Sequence, residues 1–149
     1  MASIRYERVY VLRLRGGKYY VGSTLREIET RYAEHEMGYG SRWTSRNEPR
    51  RVVCWMRVPD GYSDRVENEM TRYLMWKHGW SKVRGGKWVF LKCRATWWLP
   101  EEMQSLRSAD VLPLHLRPGH LRPETRRLIE ALEVACGLED ANHLDADTF

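Results

Sequence analysis

Two runs of β-branched and aromatic residues, Arg8-Val9-Tyr10-Val11-Leu12-Arg13-Leu14 and Lys18-Tyr19-Tyr20-Val21-Gly22, flank a Gly16-Gly17 pair near the start of the 149-residue chain. Glycine accepts the positive φ that tight turns need, and short β-type runs on either side of such a turn fold back on one another. The sequence therefore predicts an antiparallel hairpin first, and the rest of the chain must cover its apolar side chains.

Beyond the hairpin the pattern reads as helix, strand, helix. Thr24-Leu25-Arg26-Glu27 has the form of a capping box, and Leu25, Ile28 and Tyr32 then share one helical face up to about Met37, where Gly38-Tyr39-Gly40-Ser41 stops the helix. After a polar, basic loop to Pro49, Arg51–Arg57 has strand composition and Pro59-Asp60-Gly61 turns the chain. Ser63 is placed to cap a second helix carrying Val66, Met70, Tyr73, Leu74 and Lys77, ended by His78-Gly79. Lys87–Leu91 is a short extended segment, Trp97-Trp98 supplies bulky anchors, and Pro100 and Pro123 each open a helix, the last with Leu128, Ile129, Leu132 and Ala135 on one side. The expected class is α/β (α+β): a three-stranded, mainly antiparallel sheet flanked by helices. Residues 1–91 would form the domain and residues 92–149 a helical C-terminal extension with a loose acidic tail.

Charge is distributed along the same division. Residues 1–91 hold 18 Lys/Arg against 10 Asp/Glu, whereas residues 92–149 hold 7 against 10. A positive field confined to one domain attracts polyanions, so nucleic acid is the first partner to expect. No apolar run reaches the length of a membrane span and the N-terminus lacks the apolar core of a signal peptide, which predicts an intracellular protein of cytoplasm or nucleoid. Three scattered cysteines, Cys54, Cys93 and Cys136, have no metal-ligand spacing and read as reduced thiols.

Val9-Tyr10-Val11 followed by Tyr20-Val21-Gly22 resembles the paired tripeptides of the GIY-YIG nuclease family. The order of later residues extends the likeness: Arg31 and His35 four apart on the first helix, a glutamate on the second, the loop Gly40-Ser41-Arg42-Trp43-Thr44, and the closing Val83-Arg84-Gly85-Gly86 of one branch. The first tripeptide lacks the family's glycine and ends in Val11, Val21 replaces isoleucine in the second, and Lys82 stands where many members carry an active-site asparagine. The resemblance covers residues 1–91 and implies a divalent-metal-dependent endonuclease hydrolysing phosphodiester bonds, with DNA as the first substrate to expect. Carried over residue by residue, it implies Tyr10, Tyr20, Arg31, His35 and Glu67 as catalytic residues and Glu67 as the ligand of Mg²⁺ or Mn²⁺. It further implies Lys18, Arg42, Trp43, Thr44, Arg46, Lys82 and Arg84 as contacts to nucleic acid. Glu69 competes with Glu67; it lies about 200° further round the helix and is expected to face solvent. The general base stays open between either tyrosine and His35. A catalytically silent nucleic-acid-binding module and a protein-interaction domain built on the seven tryptophans are the other readings, and the last helix offers a route to a homodimer or protein partner.

Overall fold

The computed structural model describes residues 5–88 and 118–142, residues 138–142 as backbone. In chain order the elements are β1 (Tyr6–Leu14), β2 (Lys18–Thr24), α1 (Ile28–Glu36), α2 (Arg42–Arg46), β3 (Pro49–Pro59), α3 (Ser63–His78), β4 (Val83–Gly85) and α4 (Pro123–Asn142). The sheet order is β3-β1-β2-β4. The predicted hairpin forms, with β1 antiparallel to both β2 and β3, and Gly16 and Gly17 take φ of 78° and 71° at its turn. The expected three antiparallel strands are joined by a fourth, because Val83–Gly85 runs parallel to Tyr19–Val21. In the Lys87–Leu91 segment, Trp88 bridges back to Gly85, and residues 89–91 lie outside the described residues, as do Trp97-Trp98, the helix start at Pro100 and the tail beyond 142.

Alternation along β1 and β2 sorts their side chains onto two faces. Val9, Val11, Tyr19 and Val21 join Val66, Met70 and Leu74 of α3 and Leu128, Ile129 and Leu132 of α4 in the larger core. Tyr10, Leu12, Leu14 and Tyr20 face the other way, where Ile28 and Trp43 cover them. The described part of the C-terminal extension thus completes the domain's own core. Among the described residues no helix is long and apolar enough to cross a membrane.

Two local expectations are corrected. No capping box forms at Thr24: the Glu27 carboxylate pairs with Arg8 at 3.2 Å, and the Thr24 hydroxyl accepts the Arg26 amide at 3.0 Å. Helix α1 consequently starts at Ile28, and Leu25 is exposed rather than part of its apolar face. Glu69 is buried instead of facing solvent. Its Oε1 accepts the Arg122 amide at 3.1 Å and the Thr125 hydroxyl at 2.6 Å, so it receives the incoming end of α4.

Candidate active site

The register that pairs Tyr10 with Gly22 and Leu12 with Tyr20 makes the two tyrosines diagonal neighbours on one sheet face. Their ring centroids are 6.3 Å apart. Gly22 is what permits this closeness: a Cβ there would meet the Tyr10 hydroxyl at 2.6 Å and Tyr20 Cε2 at 2.8 Å. Helix α1 crosses above and directs both members of its Arg31–His35 pair at these rings.

His35 is 0 % exposed. Its Nε2 lies 2.7 Å from the Tyr10 hydroxyl and its Nδ1 2.8 Å from Thr44 Oγ1, while its ring centroid is 5.1 Å from that of Tyr20. Arg31 spreads its fork over three acceptors: Nε donates to the Tyr10 hydroxyl at 3.3 Å, one terminal nitrogen to Glu34 at 2.9 Å, and the other to the Gly40 carbonyl at 3.3 Å. These bonds engage three of the five N–H donors that a guanidinium carries and leave two for a ligand. Glu34, which also pairs with Arg26, went unmarked in the sequence although it lies three residues from Arg31 on the same helix face.

Glu67 approaches from α3. The Ser23 hydroxyl donates to its Oε2 at 2.8 Å and the Gly86 amide to its Oε1 at 3.2 Å. Strand β4 pairs with β2 only as far as Val21, so the strand edge at Gly22-Ser23 is left for this carboxylate to reach. The hydroxyl of Tyr10 lies over that glycine, and the Glu67 carboxylate is bonded to the next residue, Ser23. The electrostatics agree: burial first, and then the Glu67 charge, hold the Tyr20 phenol above its usual range, and Glu67 acts in the same direction on Tyr10.

Burial also raises the Glu67 carboxyl above the ordinary carboxylate range, against the lowering effect of the Ser23 and Gly86 bonds. No lysine or arginine pairs with it among the described residues. A partly desolvated hard-oxygen donor without a counter-charge suits a small divalent cation, and Asp64 lines the same pocket of about 350 Å³ with Glu67, Asn68, Gly86 and Lys87. The described residues contain no cluster of three His, Cys, Asp or Glu, and a one-carboxylate site that keeps several waters does not require one.

The expected nucleic-acid contacts divide sharply. Arg42, Arg46 and Lys82 are exposed and Lys18 is half-buried, donating to Asn47 at 2.9 Å. Trp43, Thr44 and Arg84 are interior and are corrected as contacts. The Trp43 indole donates to the Tyr19 carbonyl at 3.0 Å; Arg84, 1 % exposed, stacks on the Trp43 ring at 4.6 Å and donates to the Trp80 and Val83 carbonyls. Thr44 is turned inward onto His35 because Ser41 caps the short helix α2, an S-x-x-T start that the sequence carried unnoticed.

Burial, reinforced by Arg31, pushes His35 down to about 4, so the imidazole is neutral near pH 7. In the unfolded chain histidine binds its proton near pH 6.5. Between that value and about 4 the unfolded state holds the extra proton, so stability should fall as pH drops through this window, with a loss on the order of 2 kcal/mol from this residue. Urea titrations at pH 7 and pH 4.5 should show the loss in the parent and a smaller one in His35→Gln. An equal loss in both proteins contradicts the assignment.

Comparison of the chain with models of protein families, with curated proteins and with solved structures finds no match.

Proposed function

We propose that this chain is a divalent-metal-dependent nuclease of the GIY-YIG type that hydrolyses phosphodiester bonds in DNA. One observation carries the reading: Tyr10, Tyr20 and His35 pack together in the interior with the half-buried Arg31 at their edge, and the Glu67 carboxylate is bonded to Ser23 on the adjoining strand.

Hydrolysis of a phosphodiester needs an activated water, a group that fixes the phosphate, and stabilisation of charge on the phosphoryl and leaving oxygens. Arg31 offers two uncommitted N–H donors on a fork already locked by Glu34, Tyr10 and Gly40, a preorganised phosphate clamp of a kind that lysine cannot make. Tyr10 is the water-orienting base, since its oxygen accepts from Arg31 and contacts a neutral imidazole able to receive its proton. Tyr20 forms the far wall beside His35. Glu67, with Asp64 close by, would hold Mg²⁺ or Mn²⁺, which supplies Lewis acidity toward the leaving oxygen when bound. Exposed Arg42, Arg46 and Lys82 give the phosphate backbone a non-specific track.

A silent binding module needs basic and aromatic surface, but it gains nothing from a partly desolvated carboxylate whose charge reaches both tyrosines. The deciding assay incubates the purified chain with plasmid, linear duplex, flapped, junction and single-stranded DNA. Cleavage should appear with Mg²⁺, stop with EDTA and disappear in Arg31→Ala. A chain that binds these DNAs in a salt-sensitive manner yet cuts none of them in Mg²⁺ or Mn²⁺ is a binding module, and the nuclease reading is then wrong.

A further inference from the structure

Thr44 has a connection to the chemistry that its position in a basic loop conceals. Its Oγ1 lies 2.8 Å from His35 Nδ1, 3.2 Å from the Ser41 carbonyl and 2.9 Å from the Ser41 hydroxyl. With the single hydroxyl proton of Thr44 directed to the Ser41 carbonyl, the threonine oxygen is free to accept from His35 Nδ1–H. That leaves Nε2 with a lone pair directed at Tyr10.

The other end of the ring independently demands the same tautomer. Tyr10 is a buried side chain, 2 % exposed, whose oxygen accepts from Arg31 Nε, a group that cannot accept in return. For the phenol's own proton, Nε2 at 2.7 Å is the acceptor present among the described residues. Gly40 lets the two ends meet: a Cβ there would lie 2.0 Å from His35 Nδ1, so only glycine allows the loop close enough for Thr44 to reach the ring.

We propose that Thr44 is a positioning residue for phosphodiester hydrolysis, holding His35 in the Nδ1-protonated tautomer so that Nε2 receives the Tyr10 proton as Tyr10 receives one from the attacking water. The inference rests on the nuclease reading above. In the step, the water oxygen bonds to phosphorus as the bond to the leaving oxygen breaks, and that oxygen departs with the electron pair and takes a proton from solvent. One water proton passes to the Tyr10 oxygen, the phenol proton passes to Nε2, and the imidazolium returns it through Tyr10 to solvent after the product leaves. Thr44 touches no reacting atom; it acts on His35 alone.

Two variants separate this role from packing: Thr44→Val keeps the shape and removes the hydroxyl, and Thr44→Ser keeps the hydroxyl. Nitrogen-15 NMR of the substrate-free full chain reads the His35 tautomer without any reference to activity. The parent and Thr44→Ser should show Nδ1 protonated and Nε2 free, whereas Thr44→Val should show a mixture or the reverse. With the DNA that the parent cuts and saturating Mg²⁺, Thr44→Val should lose about 10- to 100-fold in kcat with KM little changed, and Thr44→Ser should recover most of it. If Thr44→Val does not fold, Thr44→Ala takes its place. A Thr44→Val protein that keeps the Nδ1–H form, or that loses it and still cuts at the parental kcat, overturns the proposal while leaving the nuclease reading intact. A parent that cuts no DNA overturns both, whatever the tautomer.

Discussion

Glu67→Gln should lose DNA cleavage by about 10²–10³-fold and at the same time hold or raise the stability of the protein. The two signs follow from one fact, that a partly desolvated carboxylate, held above its ordinary range by burial, has no cationic partner among the described residues. Glutamine can keep both existing bonds, accepting the Gly86 amide and donating to Ser23 after its hydroxyl rotates, and it removes the cost of burying a charge. A metal linkage makes a third readout: Mg²⁺ should raise the Tm of the parent and leave that of Glu67→Gln unmoved, because a ligand stabilises only the state that binds it. Parental cleavage by the folded glutamine variant removes Glu67 from the chemistry. A large loss of stability would instead make it a structural acid like its neighbour Glu69.

That neighbour shows where the sequence stops being informative. The hairpin, the helices on either side of β3 and the shared face of Arg31 and His35 are consequences of local patterns and are legible in the sequence, whereas the meeting of that face with Tyr10 and Tyr20 is expected only from the family resemblance. Glu69 was misplaced because the view along α3 alone treats its flank as surface, whereas α4, more than fifty residues away in sequence, lands there and presents the Arg122 amide and Thr125 hydroxyl to it. A long-range contact overrides a helical-wheel argument whenever a polar group on the border can satisfy an incoming helix end.

Arg84 and Trp43 went wrong for a related reason. Counting cations assigns every arginine to the surface, but a guanidinium is weakly hydrated, stacks on indole and satisfies backbone carbonyls, so this pair can close the interior between α2 and β4. Of the residues expected to contact nucleic acid, Arg42, Arg46, Lys82 and part of Lys18 are therefore the ones left at the surface. Thr44 failed differently. Charge and family likeness dominate the sequence of residues 40–46, while the Ser41–Thr44 cap that turns Thr44 toward His35 is an ordinary N-cap pattern hidden by the brevity of α2.

Gly22→Ala should cost about 10²-fold in cleavage rate while DNA binding survives. Nothing in the glycine's own backbone demands it, since its φ is not among the positive values of the chain. The constraint is space: the added methyl would sit 2.6 Å from the Tyr10 hydroxyl, 2.7 Å from Tyr10 Cζ and 2.8 Å from Tyr20 Cε2. Tyr10 cannot retreat without breaking its bonds to His35 and Arg31, and Tyr20 is held between the sheet and the imidazole. The rings must shift by a good part of an ångström, which misaligns the groups that fix water and phosphate but leaves Arg42, Arg46 and Lys82 untouched. The informative comparison is therefore kcat against the Kd for DNA at fixed salt, with NMR of the His35 ring reporting whether its bond to Tyr10 is gone. If Gly22→Ala cuts DNA at the parental rate, the two tyrosines have no need of their present spacing, and the catalytic role assigned to Tyr10 cannot stand.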